Sequence, residues 1–215
     1  MNEQVTTSRQ PGSARRVARH RRLVRSPEGN ARLTAGTAVL LFLLFAVEGF
    51  TVLSVGTLLT AHVFVGVLLL GPIMLKIGST TWRFVRYYRA DPAYREKGPP
   101  PILLRLLGPF VVVLSLAVVL SGIGLIVGAP SSWHDRLLFV HKATFVLWFG
   151  AMTVHILGHL LETARMAPRD WLRRSRRSVP AASARQLAIA GSLAGGLVLA
   201  LWLTPYASSF GGGGH

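Results

Sequence analysis

Residues 136–161 read RLLFVHKATFVLWFGAMTVHILGHLL, and the reading of this stretch decides the fold. It is long enough and apolar enough to cross a bilayer, for which ~20 residues suffice. It also carries three histidines, His141, His155 and His159. An ionisable side chain held in hydrocarbon is costly and marks a functional position by default. Helical geometry puts His155 about 21 Å along the axis from His141 and roughly 40° around it. His159 is one turn further on, almost directly below His141. One face of one helix therefore offers imidazole nitrogens at two depths, and the rest of the chain is read by what stands opposite each.

Composition supports a membrane protein. Of 215 residues, 51% are hydrophobic and 15% charged, with a mean hydropathy of +0.45. A soluble domain would carry about a quarter charged residues. The net charge of +16 does not point to nucleic acid, because Lys and Arg lie in blocks between apolar runs, as membrane topology requires. Cysteine is absent, which excludes disulfides, thiolate iron–sulfur ligation and cysteine catalysis. A metal site must then use His, Met or carboxylate. No nucleophile–base pair, phosphate loop or carboxylate pair is visible, so enzymatic activity of the chain by itself stays open.

The expected fold is all-α, a polytopic bundle of five transmembrane helices with a four-helix core. The apolar segments run approximately 34–57, 58–82, 103–128, 136–162 and 184–206. The division of the chain follows. Residues 1–32 are a disordered basic arm, and 33–165 are the four-helix core. Residues 166–183 are a basic loop, 184–207 the fifth helix and 208–215 a flexible tail. The first two segments meet at a short turn near Gly56–Thr57. The second and third are separated by the basic loop RFVRYYRADPAYREKGPPP, whose proline run cannot be helical. Ser131 or Ser132 can cap the fourth helix. Pro72 should kink the second helix just below Gly71. In the fifth segment Ala184, Ala188, Gly191 and Gly195 recur as a small-residue stripe suited to close packing against the core or a partner.

Charge sets the orientation. The arm carries eight Arg, residues 83–105 six Lys or Arg, and residues 165–185 seven, leaving only Lys76, Arg136 and Lys142 elsewhere. The positive-inside rule puts the N-terminus and both basic loops in the cytoplasm and the C-terminus outside. The arm then anchors on anionic lipid headgroups. Helices two and four run in the same direction, so their residues can be compared by depth.

His62 lies about four residues below the outer end of helix two, and His141 about five below that of helix four. Gly66 is one turn past His62 on the same face and leaves room for a flat macrocycle. Two imidazoles from facing helices are the bis-histidine axial ligation of a b-type haem, and bundle cores are where such sites are built. His62 and His141 are therefore the candidate ligands of a haem iron. Each needs a partner for its other ring nitrogen; Ser and Thr residues are available.

The residues ARLTAGTAVLLFLLFAVEGF, AHVFVGVLLL and HKATFVLWFGAMTVHILGH resemble the bacterial membrane cytochromes b. These are the haem-bearing subunits of respiratory formate dehydrogenases and nickel–iron hydrogenases, and their stand-alone relatives. The resemblance covers roughly residues 32–162. It implies an outer haem on His62 and His141. It also implies an inner haem on a helix-one histidine and His155, but the helix-one position here is Ala35. The residue opposite His155 on helix two is Lys76. Three readings of His155 and His159 stay open: structural hydrogen bonding, a second haem of unusual ligation, or a quinone or proton site with Lys76. Lys76 can also snorkel to the cytoplasmic face.

Glu48 is the one acid deep in the membrane and should be protonated or hydrogen-bonded. Trp82, Trp133, Trp171 and Trp202 read as interfacial belt residues, and Trp148 as a packing residue. The expected function is electron transfer through a membrane haem b in a bacterial plasma membrane, between quinone and an external redox partner. Other redox subunits or a second copy of the chain are candidate partners. A cofactor-free scaffold and a small His-dependent metal or proton transporter are the alternatives.

Overall fold

The computed structural model describes residues 27–96, 102–128, 131–167 and 181–207. The expectations for the arm up to residue 26, the proline run, Trp171 and the tail lie outside these residues. The regular elements are all helical: α1 (Pro27–Leu53), α2 (Val55–Leu68), α3 (Leu70–Tyr88), α4 (Pro92–Glu96), α5 (Ile102–Val127), α6 (Ser131–Met166) and α7 (Ala182–Leu203). A 3₁₀ turn, Thr204–Ala207, ends the described chain. Among the described residues five spans are long and apolar enough to cross a membrane, α2 and α3 forming one of them. The chain is a membrane-type helical bundle.

α1 starts earlier than expected. Pro27 occupies its first helical position, where a missing N–H costs nothing, and Glu28 lies in its first turn. Residues 27–32, assigned above to the disordered arm, are therefore helical. The reversal after α1 runs from Ser54, whose carbonyl accepts from Thr57 N and Leu58 N, to Leu58, where the dihedrals leave the helical region, so it includes the expected Gly56–Thr57 turn. α1 and α2–α3 then form an antiparallel hairpin of constant register. Glu48 meets His62 at one end, Leu41 packs with Leu69 and Ile73 in the middle, and Asn30 Nδ2 donates to the Ser79 carbonyl at 2.9 Å at the other.

The break in the second span is at Leu69, three residues before Pro72. Pro72 has no N–H to offer the Leu68 carbonyl, so the helical ladder loses a rung there. The ladder is thus interrupted above Gly71, while Leu69 itself keeps helical dihedrals, φ −57° and ψ −27°. α3 runs on to Tyr88, so Arg83–Tyr88 are helical and not loop. Beyond it, Asp91 Oδ1 accepts from Ala93 N at 3.1 Å at the start of α4, and Arg86 pairs with Asp91 at 2.7 Å while lying over the rings of Trp82 and Tyr94.

α5 and α6 form the second antiparallel hairpin. Gly158 takes the Leu104 side chain, Trp148 meets Ser115, His141 meets Ser121, and Gly124 meets Leu137. α6, the histidine helix, is the least enclosed span, with 6% of its apolar window buried.

α7 packs across the break between α2 and α3. A side chain at Gly196 would strike the Leu68 carbonyl, and one at Gly71 would strike the Ser192 carbonyl. The packing face of α7 is Arg185, Ile189, Gly196, Ala200 and Leu203, all buried. The expected small-residue stripe lies off this face, which rules out its packing against the core and leaves packing against a partner as its other expected use. Gly191 and Gly195 have no neighbour within 4 Å of a Cβ position, and Ala184 is exposed. Val67, Ile126, Ala200 and Leu203 form one core cluster, which joins the fifth span to α2 and α5.

Candidate functional site

A cavity of about 860 Å³ lies between α1, α2, α5 and α6. Its walls are apolar except for Glu48, His62, Ser115, His134, His141, Lys142 and Thr153. The His62 and His141 rings face each other in it with centroids 6.3 Å apart and planes at 79°. An imidazole bound through nitrogen at ~2.1 Å has its centre about 3 Å from the metal, so two imidazoles flanking one ion have centres about 6 Å apart. The observed separation meets that requirement. The shared depth read from the sequence is found in the structure.

Each ring is anchored through Nδ1. His62 Nδ1 lies 3.0 Å from Glu48 Oε1 and 3.2 Å from Thr51 Oγ1. The Thr51 hydroxyl donates to the Glu48 backbone carbonyl at 2.7 Å, which leaves its oxygen free to accept. His141 Nδ1 lies 3.0 Å from both the Val118 carbonyl and Ser121 Oγ. The Val118 carbonyl can only accept, so His141 carries its proton on Nδ1. Among the described residues no hydrogen bond engages Nε2 of either ring. Both rings therefore keep an unprotonated nitrogen for a metal, held in the tautomer a ligand histidine needs.

The glycines give the cavity its flat walls. Gly66 lines it as expected, but a Cβ there would approach Glu48 Oε1 at 3.2 Å rather than the His62 ring. The glycine beside an imidazole is Gly122 of α5, whose Cβ position lies 3.1 Å from His141 Cε1. Gly49 and Gly56 also line the cavity and have open space where a Cβ would be.

Sequence reasoning missed Gly122, Ser121 and Glu48 as members of the site. The signal for Ser121–Gly122 was a polar–glycine pair in an otherwise apolar helix. The signal for Glu48 was an acid inside an apolar span, as far before the α1–α2 turn as His62 is after it.

Trp148 and Phe45 form an aromatic layer in the cavity wall, and the cavity continues past them along α6 to Met152, Thr153, Ile156 and Leu157. Trp148 is buried; its Nε1 donates to Ser115 Oγ at 2.8 Å and its ring meets Phe45 edge-on at 4.8 Å. This bears out its reading as a packing residue. Trp148→Phe removes one buried hydrogen bond and is expected to cost about 1 kcal/mol, read as a lowered thermal midpoint in detergent. Trp82, Trp133 and Trp202 are exposed.

The second histidine level is differently built. His155 and His159 lie 4.8 Å apart, ring to ring, on α6, and neither lines the cavity. Lys76 is within electrostatic reach of His155, but its Nζ donates to the Thr34 carbonyl at 2.9 Å. Thr34 Oγ1 in turn donates to Ser79 Oγ at 3.0 Å. Ala35 is buried on α1 beside this network. No group of three or more His, Cys or carboxylate side chains is gathered among the described residues. No family model matches the chain, and comparison with curated proteins and with solved structures finds no match.

Proposed function

We propose that this chain is a membrane cytochrome b with one haem per chain. The reading is carried by the His62–His141 pair, two rings 6.3 Å apart with both Nδ1 atoms tied back and both Nε2 atoms left for iron. His62 and His141 would be the axial ligands. Glu48, Thr51, Ser121 and the Val118 carbonyl orient them, and Gly49 and Gly122 keep the walls clear. A haem bound there supplies a one-electron ferric–ferrous couple, tuned by burial and by the hydrogen bonds to its ligands.

Lys142 brings a positive charge, and His134 a ring nitrogen, to the α6 N-terminal end of the cavity, where they suit the carboxylates of a macrocycle. Lys142 is exposed, so Lys142→Met spares the fold and is expected to weaken haem retention about tenfold, the worth of a lost charge-assisted bond. Haem per chain after detergent dilution measures it, and unchanged retention removes Lys142 from the site.

The charge pattern supports a cytoplasmic N-terminus in a bacterial plasma membrane, with the haem in the outer half. Electrons would then pass between quinone in the bilayer and an external redox partner, whether the chain works alone, as a homodimer or within a larger complex. Ala35 and the Lys76–Thr34 bond argue against a second haem at His155 and His159.

The test is a reduced-minus-oxidised spectrum with a pyridine haemochrome count. A sharp b-type α-band and a count near one are expected. A featureless spectrum leaves the cofactor-free scaffold or the transporter standing, and a count near two restores the inner site.

A further inference from the structure

We infer that Glu48 is a positioning residue for the metal ligand His62, and that it makes the two axial imidazoles unequal. The inference rests on the cytochrome reading and goes beyond it. A carboxylate inside a membrane span is expensive and needs a reason to be there. Here its side chain is 14% exposed, and Oε1 stands 3.0 Å from His62 Nδ1, closer than the Thr51 hydroxyl at 3.2 Å.

Thr51 braces the carboxylate as well as the ring. Its Oγ1 donates to the Glu48 backbone carbonyl and lies 3.3 Å from Oε2. Gly66 completes the seat, because a Cβ there would crowd Oε1 at 3.2 Å. The reading of Gly66 changes accordingly. What it makes room for is the carboxylate behind the ligand.

The opposite imidazole has no such partner. His141 Nδ1 meets a backbone carbonyl and a serine hydroxyl, both neutral. A carboxyl acceptor draws the Nδ1 proton more strongly than a carbonyl does and makes the imidazole a better electron donor to its metal. The His62 side therefore favours ferric iron more than the His141 side. Glu48 acts through His62 and touches no reacting atom.

The experiment compares haem-loaded wild type, Glu48→Gln, Glu48→Asp and Ser121→Ala by equilibrium redox titration and low-temperature EPR. Glu48→Gln is expected to weaken the preference for ferric iron at least tenfold, about 59 mV for a one-electron couple, and to shift the low-spin g-values. Glu48→Asp should fall between it and wild type. Ser121→Ala, which leaves the Val118 carbonyl in place, should move the potential less than Glu48→Gln.

Loss of haem from a Glu48→Gln chain that keeps its helicity and its size in detergent also supports the assignment, since His62 is then no longer held. If Glu48→Gln does not accumulate, Glu48→Asp alone decides. A wild-type potential and EPR spectrum in whichever Glu48 variant is loaded overturns the inference. A wild-type chain without haem overturns the cytochrome reading instead, so the two failures are distinguishable.

Discussion

His62→Ala and His141→Ala are each expected to abolish the low-spin b-type band, whereas His155→Ala leaves it. The asymmetry follows from geometry. The two imidazoles that share the cavity are 6.3 Å apart, and removing either leaves iron with one protein ligand on one side. His155 lies 14 residues from His141, about 21 Å along α6, and does not line the cavity. The expected result is loss of essentially all bound haem or conversion to a high-spin spectrum in the first two variants, with full occupancy in the third. Loss of half the haem in His155→Ala would mean that the inner level also binds iron.

Gly196→Leu is expected to destabilise the bundle by about 3 kcal/mol or more, and Gly71→Leu by a similar amount. Between helices in lipid, hydrocarbon is exchanged for hydrocarbon, so association rests on close packing and weak Cα–H···O contacts. At the α2–α3 break these contacts are reciprocal, Gly196 against the Leu68 carbonyl and Gly71 against the Ser192 carbonyl. A side chain at either position meets backbone, which cannot rotate away. The control is one residue off. Gly195 has nothing within 4 Å, so Gly195→Leu should stay within about 0.5 kcal/mol of wild type. Thermal unfolding in detergent reads all three, and a Gly195 variant as unstable as the Gly196 variant would refute the assignment of the packing face.

Depth was legible in the sequence and rotation was not. Helical rise is constant, so His62 and His141 could be set at one level by counting from the ends of their segments. Which way each helix turns its faces is encoded by amphipathicity, and spans apolar on all sides carry little of it. That is why the small-residue stripe of the fifth segment was read on Ala184, Gly191 and Gly195 while the packed face runs through Ile189, Gly196 and Ala200. It is also why Glu48 could be marked as costly without being placed on His62. The break at Leu69 shows a second limit. Pro72 announced a break, but the carbonyl it leaves without a helical partner lies a turn earlier, and the ladder is interrupted there.

The 3₁₀ turn after α7 gives the fold an order of assembly. Ala207 lines the same cavity as His62 and His141, and it is separated from His141 by the whole of α7 and the loop before it. A chain made from its N-terminus has both imidazoles in the membrane well before residue 207 exists. The cavity shared by His62 and His141 therefore gains its last wall residue, Ala207, only when the segment after α7 is in place.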